Sequence, residues 1–288
     1  MNKWKGIQEN SSSILAEGMR RLQNSVVNDE IRADIEGYGN YLISYPKNKL
    51  WYIGESKNVS KRVRQHANEK NSTFYKSYLK NKKKNHLFPQ NLQINDFNVQ
   101  SIENKFGRKE LEEFGIMNIP CVLNNFQKGK RNRFSGKPSS KSWQYMQNNY
   151  SSLLKAGAEY VEKLSFVKWF DMDINPFPGL YLIEHKKKGL IYIGESSNVL
   201  DRYKTHSGTT YFSAFRRNLG ENILGFQLKT IKGKKRYFNE NEENELNTFL
   251  KELQVKAVPV SLGRYELEEF LIKKYKPVLN RKGNIKPA

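Results

Sequence analysis

The chain has 288 residues, and its 50 Lys and Arg residues against 29 Asp and Glu residues give a formal net charge of +21. Positive charge spread along the whole chain favours a polyanionic partner such as nucleic acid, and a single cysteine excludes an intramolecular disulfide or a cysteine-rich zinc site. The first residues lack the apolar core of a signal peptide and no apolar run is long enough to span a membrane, so we expect a cytoplasmic protein with no membrane partner.

The first half of the chain predicts a helix followed by a small unit of strands and helices. Apolar residues recur at helical spacing over about residues 12–36, and Gly37 ends this pattern. Two short apolar runs around a polar turn then predict a hairpin. The predicted elements are strands at Asn40–Tyr45 and Leu50–Gly54 with a turn at Pro46–Lys49, helices at about 58–69 and from about Ser72, a strand at 92–102 and a helix at 109–117.

The second half predicts the same series after a basic linker at residues 128–141, which is rich in glycine, proline and serine. A helix is predicted at 142–167, before a second hairpin. The later predicted elements are strands at Leu180–Ile183 and Leu190–Ile193, helices from Val199 and at Tyr211–Leu219, a third strand at Leu224–Ile231 and an added helix at Asn241–Leu253. In this alignment Tyr211 corresponds to Phe74 of the first half.

One set of spaced residues occurs twice. Each copy has two tyrosines eleven residues apart, the second in a Y-I-G triplet, and an arginine eight residues after the glycine of that triplet. A histidine follows four residues later on the same predicted helix face, and a glutamate in an L-E-E-F sequence precedes an asparagine by twelve residues. The residues are Tyr41, Tyr52, Arg62, His66, Glu112 and Asn124 in the first copy and Tyr181, Tyr192, Arg202, His206, Glu268 and Asn280 in the second. A repeat that occurs only twice, at about half the chain length, predicts a duplicated domain.

These motifs, with G-N-Y and Y-I-G in the first copy and G-L-Y and Y-I-G in the second, resemble the GIY-YIG nuclease family. The resemblance implies an α/β (α+β) fold with two tandem domains, each a small mixed or antiparallel three-stranded sheet flanked by helices, and a helical extension before each. The first copy departs from the pattern at Asn40, which replaces an apolar residue, and at Cys121, which stands where the second copy has Pro277. The expected boundaries are an N-terminal extension at 1–37, a first nuclease domain at 38–127, a basic linker and helix at 128–177 and a second nuclease domain at 178–288.

The resemblance also implies metal-dependent cleavage of DNA phosphodiesters, with a role for each repeated residue. The first tyrosine of each copy would be a general base that relays to the histidine, and the second would orient water or phosphate. The arginine would hold the phosphate through a bidentate fork, and each of the two glutamates, Glu112 and Glu268, would bind one Mg²⁺ (or Mn²⁺) that keeps most of its waters. A tyrosine is a poor base unless cations stabilise its phenolate, and we expect the arginine, the histidine and the metal to do so.

Contacts to the bases and backbone of DNA are expected from the basic loops and the aromatic-rich helices. The two repeated asparagines have an alternative role, in which the side chain bonds the backbone of a loop. The glutamate and serine that follow each Y-I-G triplet are interpreted as turn and cap residues. The residues assigned to DNA binding or to structure are Asn124, Asn280, Lys82, Lys83, Lys84, Arg216, Arg217, Lys234, Lys235 and Arg236.

Our leading hypothesis is a sequence-specific endonuclease for double-stranded DNA, of the type II restriction kind. A site with one metal cuts one strand, so the duplication would act as a covalent pseudo-dimer with one active site per strand. A monomer would then suffice, and a cognate methyltransferase would be the genetic partner. The alternatives are a structure-specific or nicking endonuclease of repair or phage defence, and a DNA-binding protein that kept the fold without cleaving. Retention of both tyrosines, the arginine and the glutamate in each copy argues against the last.

Overall fold

The computed structural model describes residues 3–45, 50–84, 88–124, 136–231 and 235–280. The chain divides into two compact units, residues 1–153 and 154–288, and each unit contains one copy of the repeated residues. Within the described residues, no helix is both long and apolar enough to cross a membrane. The turn predicted at Pro46–Lys49 and residues 128–135 of the predicted linker lie outside the described residues.

The first unit consists of one small antiparallel sheet with helices on both faces. Its elements are α1 (Lys3–Glu9), α2 (Ser11–Gln23), β1 (Gly39–Tyr45), β2 (Leu50–Ser56), α3 (Val59–His66), α4 (Thr73–Lys82), β3 (Asn98–Glu103), α5 (Arg108–Asn118) and α6 (Ser140–Asn148). The strand order is β2-β1-β3. Tyr41 and Ile43 of the central strand β1 pack in a core with residues of α3 and α4, whereas Gly115 of α5 lies against Ile53 on the opposite face. Because both faces are covered, six of the seven residues of β1 are buried.

The helix predicted at residues 12–36 is wrong in its second half. Helix α2 ends at Gln23, and the chain then runs beside the sheet, where Asn28 exchanges backbone hydrogen bonds of 2.8 and 2.9 Å with Val99 of β3. Asparagine and aspartate side chains compete with helical hydrogen bonds, and this stretch contains Asn24, Asn28 and Asp29. The apolar spacing beyond residue 23 therefore does not reflect a helix.

The second unit repeats the sheet and adds elements to it. Its elements are α7 (Tyr150–Glu162, which begins before the unit boundary), β4 (Val167–Lys168), β5 (Gly179–His185), β6 (Gly189–Ser196), α8 (Val199–Ser207), α9 (Ala214–Leu219), β7 (Lys229–Ile231), β8 (Lys235–Tyr237), α10 (Glu240–Leu250), β9 (Leu253–Pro259) and α11 (Arg264–Tyr275). The sheet order among the described strands is β4-β9-β5-β6, and β7 and β8 form a separate hairpin. The predicted α/β class, with a small antiparallel sheet flanked by helices in each half and helices before each, is confirmed. The single helix predicted at 142–167 is instead two helices, α6 and α7, which meet at Asn149.

The third strand predicted at Leu224–Ile231 is wrong. Strand β9 takes that place, since its Val255 lies opposite Ile183 of β5 just as Val99 of β3 lies opposite Ile43 of β1. The added helix predicted at 241–253 is confirmed as α10, and it precedes the third strand of the sheet. In the first unit α4 precedes the third strand of the sheet, β3. In the second unit the insertion lies between α9 and the third strand, β9. Strand β4 pairs with β9 at Val255, where Asn28 pairs with β3 in the first unit, so the second sheet has a fourth strand among the described residues.

Equivalent serine caps relate α4 to α9. The Ser72 hydroxyl accepts from the Tyr75 N–H at 3.1 Å, and the Ser213 hydroxyl accepts from the Arg216 N–H at 3.1 Å. The caps place Phe215 at the position of Phe74, so the alignment of Tyr211 with Phe74 is wrong. Both phenylalanines are fully buried, with ring centroids 5.4 Å and 5.1 Å from the histidine ring of their own unit.

Candidate active sites

The first tyrosine of each copy lies across a glycine of the neighbouring strand. Tyr41 pairs with Gly54, and Tyr181 pairs with Gly194. A Cβ atom added to either glycine would lie 2.3 Å from the Cζ and Oη atoms of that tyrosine, which is closer than any tolerated contact. The glycine of the Y-I-G triplet therefore leaves the space that the phenol ring fills.

Each of these tyrosines contacts the histidine of its own copy. Tyr41 Oη lies 2.9 Å from His66 Nε2, and Tyr181 Oη lies 3.1 Å from His206 Nε2. Burial raises the pKa of Tyr41 and Tyr181 well above the ordinary value of a tyrosine. Burial also lowers the pKa of His66 and His206 to about 3. Near neutral pH the phenol is therefore protonated and donates its O–H to a neutral imidazole.

This contact determines which nitrogen of the imidazole ring carries the proton. Because Nε2 accepts from the phenol, Nδ1 carries the hydrogen, and His206 Nδ1 lies 2.7 Å from the Ser213 hydroxyl. In the first unit His66 Nδ1 lies 3.5 Å from the Ser72 hydroxyl. The expectation that a charged histidine would stabilise a phenolate is wrong, since both imidazoles are neutral. The adjacent arginine of each copy lowers the pKa of the buried tyrosine, but burial outweighs it.

The buried histidines predict a dependence of stability on pH. The folded-state pKa of His206 is about 3, below its ordinary value of 6.5, so the unfolded chain binds a proton first as the pH falls. This contribution to stability is complete above the ordinary value and is lost between about 6.5 and about 3. Between about pH 7 and about pH 5 each such histidine should cost about 2 kcal/mol of unfolding free energy.

Urea denaturation of the parent and of His206→Gln at the two pH values measures this contribution. The parent is expected to lose about 2 kcal/mol more than the variant on acidification. Equal losses would show that the imidazole is not held neutral by burial.

The second tyrosine and the arginine of the first copy line an open pocket of about 400 Å³. Tyr52 Oη lies 3.1 Å from Thr73 Oγ1, and Arg62 Nη2 donates to the same oxygen at 3.4 Å. Arg62 Nη1 donates to Gln65 Oε1 at 3.1 Å. The lining residues are Tyr52, Arg62, Thr73, Lys76, Ser77, Lys80, Glu112, Ile116, Leu123 and Asn124. Four of the predicted first-copy site residues, Tyr52, Arg62, Glu112 and Asn124, therefore line one pocket.

Six of these lining residues were not predicted for the site, and four of the six lie on α4. Thr73, Lys76 and Lys80 recur at helical spacing on α4, and this periodicity is the signal that points to them. Counted from the capping serine, the second copy has Ala214 in place of Thr73, Arg217 in place of Lys76 and Glu221 in place of Lys80. Alanine carries no hydroxyl to join the second tyrosine to the arginine, and Arg202 is exposed. The two copies therefore share the repeated site residues but differ in the helix residues next to them.

The glutamates Glu112 and Glu268 lie one turn inside α5 and α11, and both are half-buried. Burial is the main cause that raises the pKa of both tyrosines in each copy, and the charge of the glutamate raises them further. The carboxylate, both phenols, the guanidinium and the imidazole of each copy are therefore brought together.

In each unit a buried arginine pairs with a partly buried glutamate, which joins the end of the second strand of the hairpin to the start of α5 or α11. Arg264 Nε donates to Glu195 Oε2 at 2.9 Å, and Arg108 Nη1 lies 3.9 Å from Glu55 Oε2. The sequence interpretation of these glutamates as turn residues missed this contact. The signal is the second appearance of both G-E-S and G-R in the repeat. The serines Ser56 and Ser196 do cap a turn, because their hydroxyls accept from the N–H two residues later.

Metal coordination in either unit would rest on one carboxylate. Among the described residues, no three His, Cys, Asp or Glu side chains converge in a way that could hold a metal ion. Glu112 lines the first pocket together with hydroxyl oxygens and one amide. Carboxylate and hydroxyl oxygens suit a hard divalent cation that keeps most of its waters, and Glu112 is the carboxylate among these lining residues, which also include the cations Arg62, Lys76 and Lys80.

The asparagines Asn124 and Asn280 bond the backbone of the second strand. Asn124 accepts from the Ile53 N–H at 2.9 Å and donates to the Ile53 carbonyl at 2.8 Å. Asn280 makes the same two contacts with Ile193, at 2.8 and 2.7 Å. Each amide thus pairs with the strand edge as another strand would. These contacts fit the structural role expected for the two asparagines, rather than the role in DNA binding.

The predicted basic residues occupy different environments. Arg216 is fully buried and donates to Glu243 Oε2 at 2.5 Å and to Asn247 Oδ1 at 2.8 Å, which fits structure rather than DNA contact. Lys82 donates to the Gln90 carbonyl at 2.8 Å. Lys83, Lys84 and Arg236 are exposed, Lys235 belongs to β8, and Lys234 lies outside the described residues.

The departure at Asn40 is accommodated by buried amides. Asn40 Nδ2 donates to the Arg108 carbonyl at 2.8 Å, and Asn40 Oδ1 accepts from Asn104 at 2.8 Å. In the second copy the corresponding residues are the apolar Leu180 and Val260. A hydrogen-bonded pair therefore replaces an apolar pair without reaching the reacting groups.

Comparison with known families identifies the same two regions. Two family models match, each described as a GIY-YIG catalytic domain, one over residues 37–109 and the other over residues 160–288. Together they cover more than half of the chain. The first match ends before Glu112, and the second includes Glu268. No curated protein matches the chain, and no solved structure matches it.

Proposed function

Since the chain belongs to the GIY-YIG family, with two nuclease domains in tandem, we propose that it is a sequence-specific endonuclease that cuts both DNA strands, as a type II restriction enzyme does. The observation that carries the proposal is the complete set of tyrosines, arginine, histidine and glutamate brought together in each unit. The nuclease domains would extend over 38–127 and 178–288, and the dependence would be on Mg²⁺ (or Mn²⁺) with one ion per site.

In this proposal the arginine of each copy binds the phosphate, and the two phenols hold the attacking water. Glu112 and Glu268 would hold a divalent cation, which when bound supplies charge neutralisation at the phosphate and at the leaving oxygen. Tyr41 or Tyr181 accepts the proton of the water at Oη while its own proton passes to Nε2 of the histidine. Free phenolate is scarce at neutral pH because burial raises the tyrosine pKa, so the two transfers occur together. The negative charge of bound phosphate raises the pKa of the imidazole and helps it to accept.

Cleavage of both strands would follow from the duplication. Each unit would serve one strand, so that a single chain acts as a covalent pseudo-dimer and a monomer suffices. A cognate methyltransferase would then protect the DNA of the host cell. The second candidate is a nicking or structure-specific endonuclease. The difference between Thr73 and Ala214 favours it, because unlike sites would cut the two strands at unequal rates.

A plasmid assay with and without divalent cation tests the proposal. With Mg²⁺ we expect linear product with ends at discrete positions, and with EDTA no cleavage. Nicked circles alone would support the second candidate. A plasmid that shifts in a gel-shift assay but is not cleaved with any divalent cation would indicate a DNA-binding protein. That result would overturn the proposal.

Exchange of the arginine for lysine tests the phosphate contact. Arg62→Lys or Arg202→Lys keeps the charge but loses the planar fork, so we expect cleavage of the strand that the altered unit serves to slow about 10- to 100-fold. Strand-resolved initial rates on an end-labelled duplex measure the effect. Arg64→Lys, at an exposed arginine of the same helix, is the matched control and should cut at the parent rate. Equal rates for Arg62→Lys and Arg64→Lys would contradict the assignment.

A further inference from the structure

The loop between α8 and α9 presents a strongly exposed aromatic side chain. Phe212 is 71 % exposed, and its ring meets that of Tyr211 edge-on with centroids 4.4 Å apart. A surface pocket of about 450 Å³ is lined by Tyr211, Phe212, Arg217 and Arg236. This pocket therefore combines an exposed aromatic ring with two arginine side chains.

The backbone that carries Phe212 is held in place. Arg217 Nη1 donates to the carbonyl oxygens of Thr210 and Tyr211 at 3.0 and 2.9 Å. On one side of Phe212, Thr210 is fully buried. On the other, buried Ser213 contacts His206 Nδ1 and caps α9. The exposed ring is therefore presented by an ordered loop that begins beside the candidate catalytic histidine, which lowers the entropy cost of binding.

The aromatic pair belongs to one copy only. In the first copy the two residues before the capping Ser72 are Lys70 and Asn71, where the second copy has Tyr211 and Phe212 before Ser213. The fold is built in both units, so it does not require these rings. Their presence in one unit points to a contact that only this unit makes.

We infer that Phe212, backed by Tyr211, stacks on a nucleobase of the bound DNA next to the phosphate that the second unit cuts, while Arg236 contacts the adjoining backbone. The inference rests on the proposed function and extends it to a base contact. Aromatic rings stack on any base, and neighbouring arginines add phosphate and cation–π contacts. The net charge of +21 favours this polyanion over an apolar protein surface. Because Asn71 and Lys70 offer no ring, the two half-sites of the DNA are contacted unequally.

Photocrosslinking tests the contact without knowledge of the recognition sequence. The full-length chain with Glu112→Gln and Glu268→Gln together is mixed with random-sequence duplex containing 5-iodouracil, irradiated and analysed by peptide mass spectrometry. Crosslinks at Tyr211 or Phe212 are expected. Crosslinks found only elsewhere would overturn the base contact while leaving the nuclease proposal in place. No binding of the duplex would overturn both.

Affinity measurements on single variants in the same background separate stacking from charge. Phe212→Ala should weaken DNA binding about tenfold, with Phe212→Trp close to the parent, because stacking needs a ring and not a particular one. Arg236→Ala should reduce the slope of log K against log salt by about 0.9 in magnitude, the share of one phosphate, whereas Phe212→Ala should leave the slope unchanged.

The matched control for Phe212→Ala is Phe170→Ala, at another exposed phenylalanine of the unit, 56 % exposed, which should bind as the parent does. Parent-like affinity of Phe212→Ala would overturn the inference. So would a change of oligomeric state in Phe212→Ala without a change in DNA affinity, since this would assign the ring to a second copy of the chain.

Discussion

Replacing Glu268 with Gln, or Glu112 with Gln, is expected to change the product on supercoiled plasmid from linear DNA to nicked circles. Glutamine keeps the size of the side chain but loses the negative charge that holds a divalent cation. The altered unit should lose about a thousandfold in rate, while the other unit retains both tyrosines, its arginine, its histidine and its glutamate. Gel electrophoresis of a time course separates the supercoiled, nicked and linear forms.

The control for Glu268→Gln is Glu269→Gln, which removes the neighbouring charge on the same helix and should still linearise plasmid. The double variant at Glu112 and Glu268 should cut neither strand. Linearisation at the parent rate by either single variant would mean that one unit can cut both strands, or that the carboxylate is not needed.

Gly194→Ala is expected to abolish cleavage by the second unit through the tyrosine that faces it. The added Cβ would lie 2.3 Å from the Cζ and Oη atoms of Tyr181, so the phenol must leave its position beside His206. We expect a loss of about a thousandfold on one strand, together with a cost of about 1–3 kcal/mol in stability from overpacking. Strand-resolved rates and urea denaturation of the same samples measure both.

Two further variants separate loss of the tyrosine position from loss of folding. Gly208→Ala, where the nearest atom to the added Cβ lies 3.4 Å away, should cut at close to the parent rate. Tyr181→Phe combined with Gly194→Ala should be no slower than Gly194→Ala alone, because both changes remove the same phenol contact. A folded Gly194→Ala variant with the parent rate on both strands would contradict the assignment of Tyr181.

The parts of each site that lie close in sequence could be predicted. A hairpin fixes the register of two strands, so the spacing from Tyr181 to Tyr192 and the glycine that follows already determine which residues share a face. The next helix begins at an asparagine cap, which sets the positions of Arg202 and His206 relative to the strand. The relative positions of these motif residues are therefore fixed by contacts between residues that are close in sequence.

The parts that depend on contacts distant in sequence could not be predicted. Strand β9 was missed because α10 and the β7–β8 hairpin precede it, and apolar alternation does not show which run joins the central sheet. The proton positions of the tyrosine and histidine follow from burial by residues of several elements, which spacing does not reveal. The partly buried pair of Glu195 with Arg264 likewise joins residues 69 positions apart.

We propose that two cleavage sites in one polypeptide each cut a different strand. The most direct test sequences the nicked ends produced by Glu112→Gln and by Glu268→Gln on the same DNA. We predict that the two variants nick opposite strands at one shared location. Nicks on the same strand by both variants, or at unrelated positions, would contradict it.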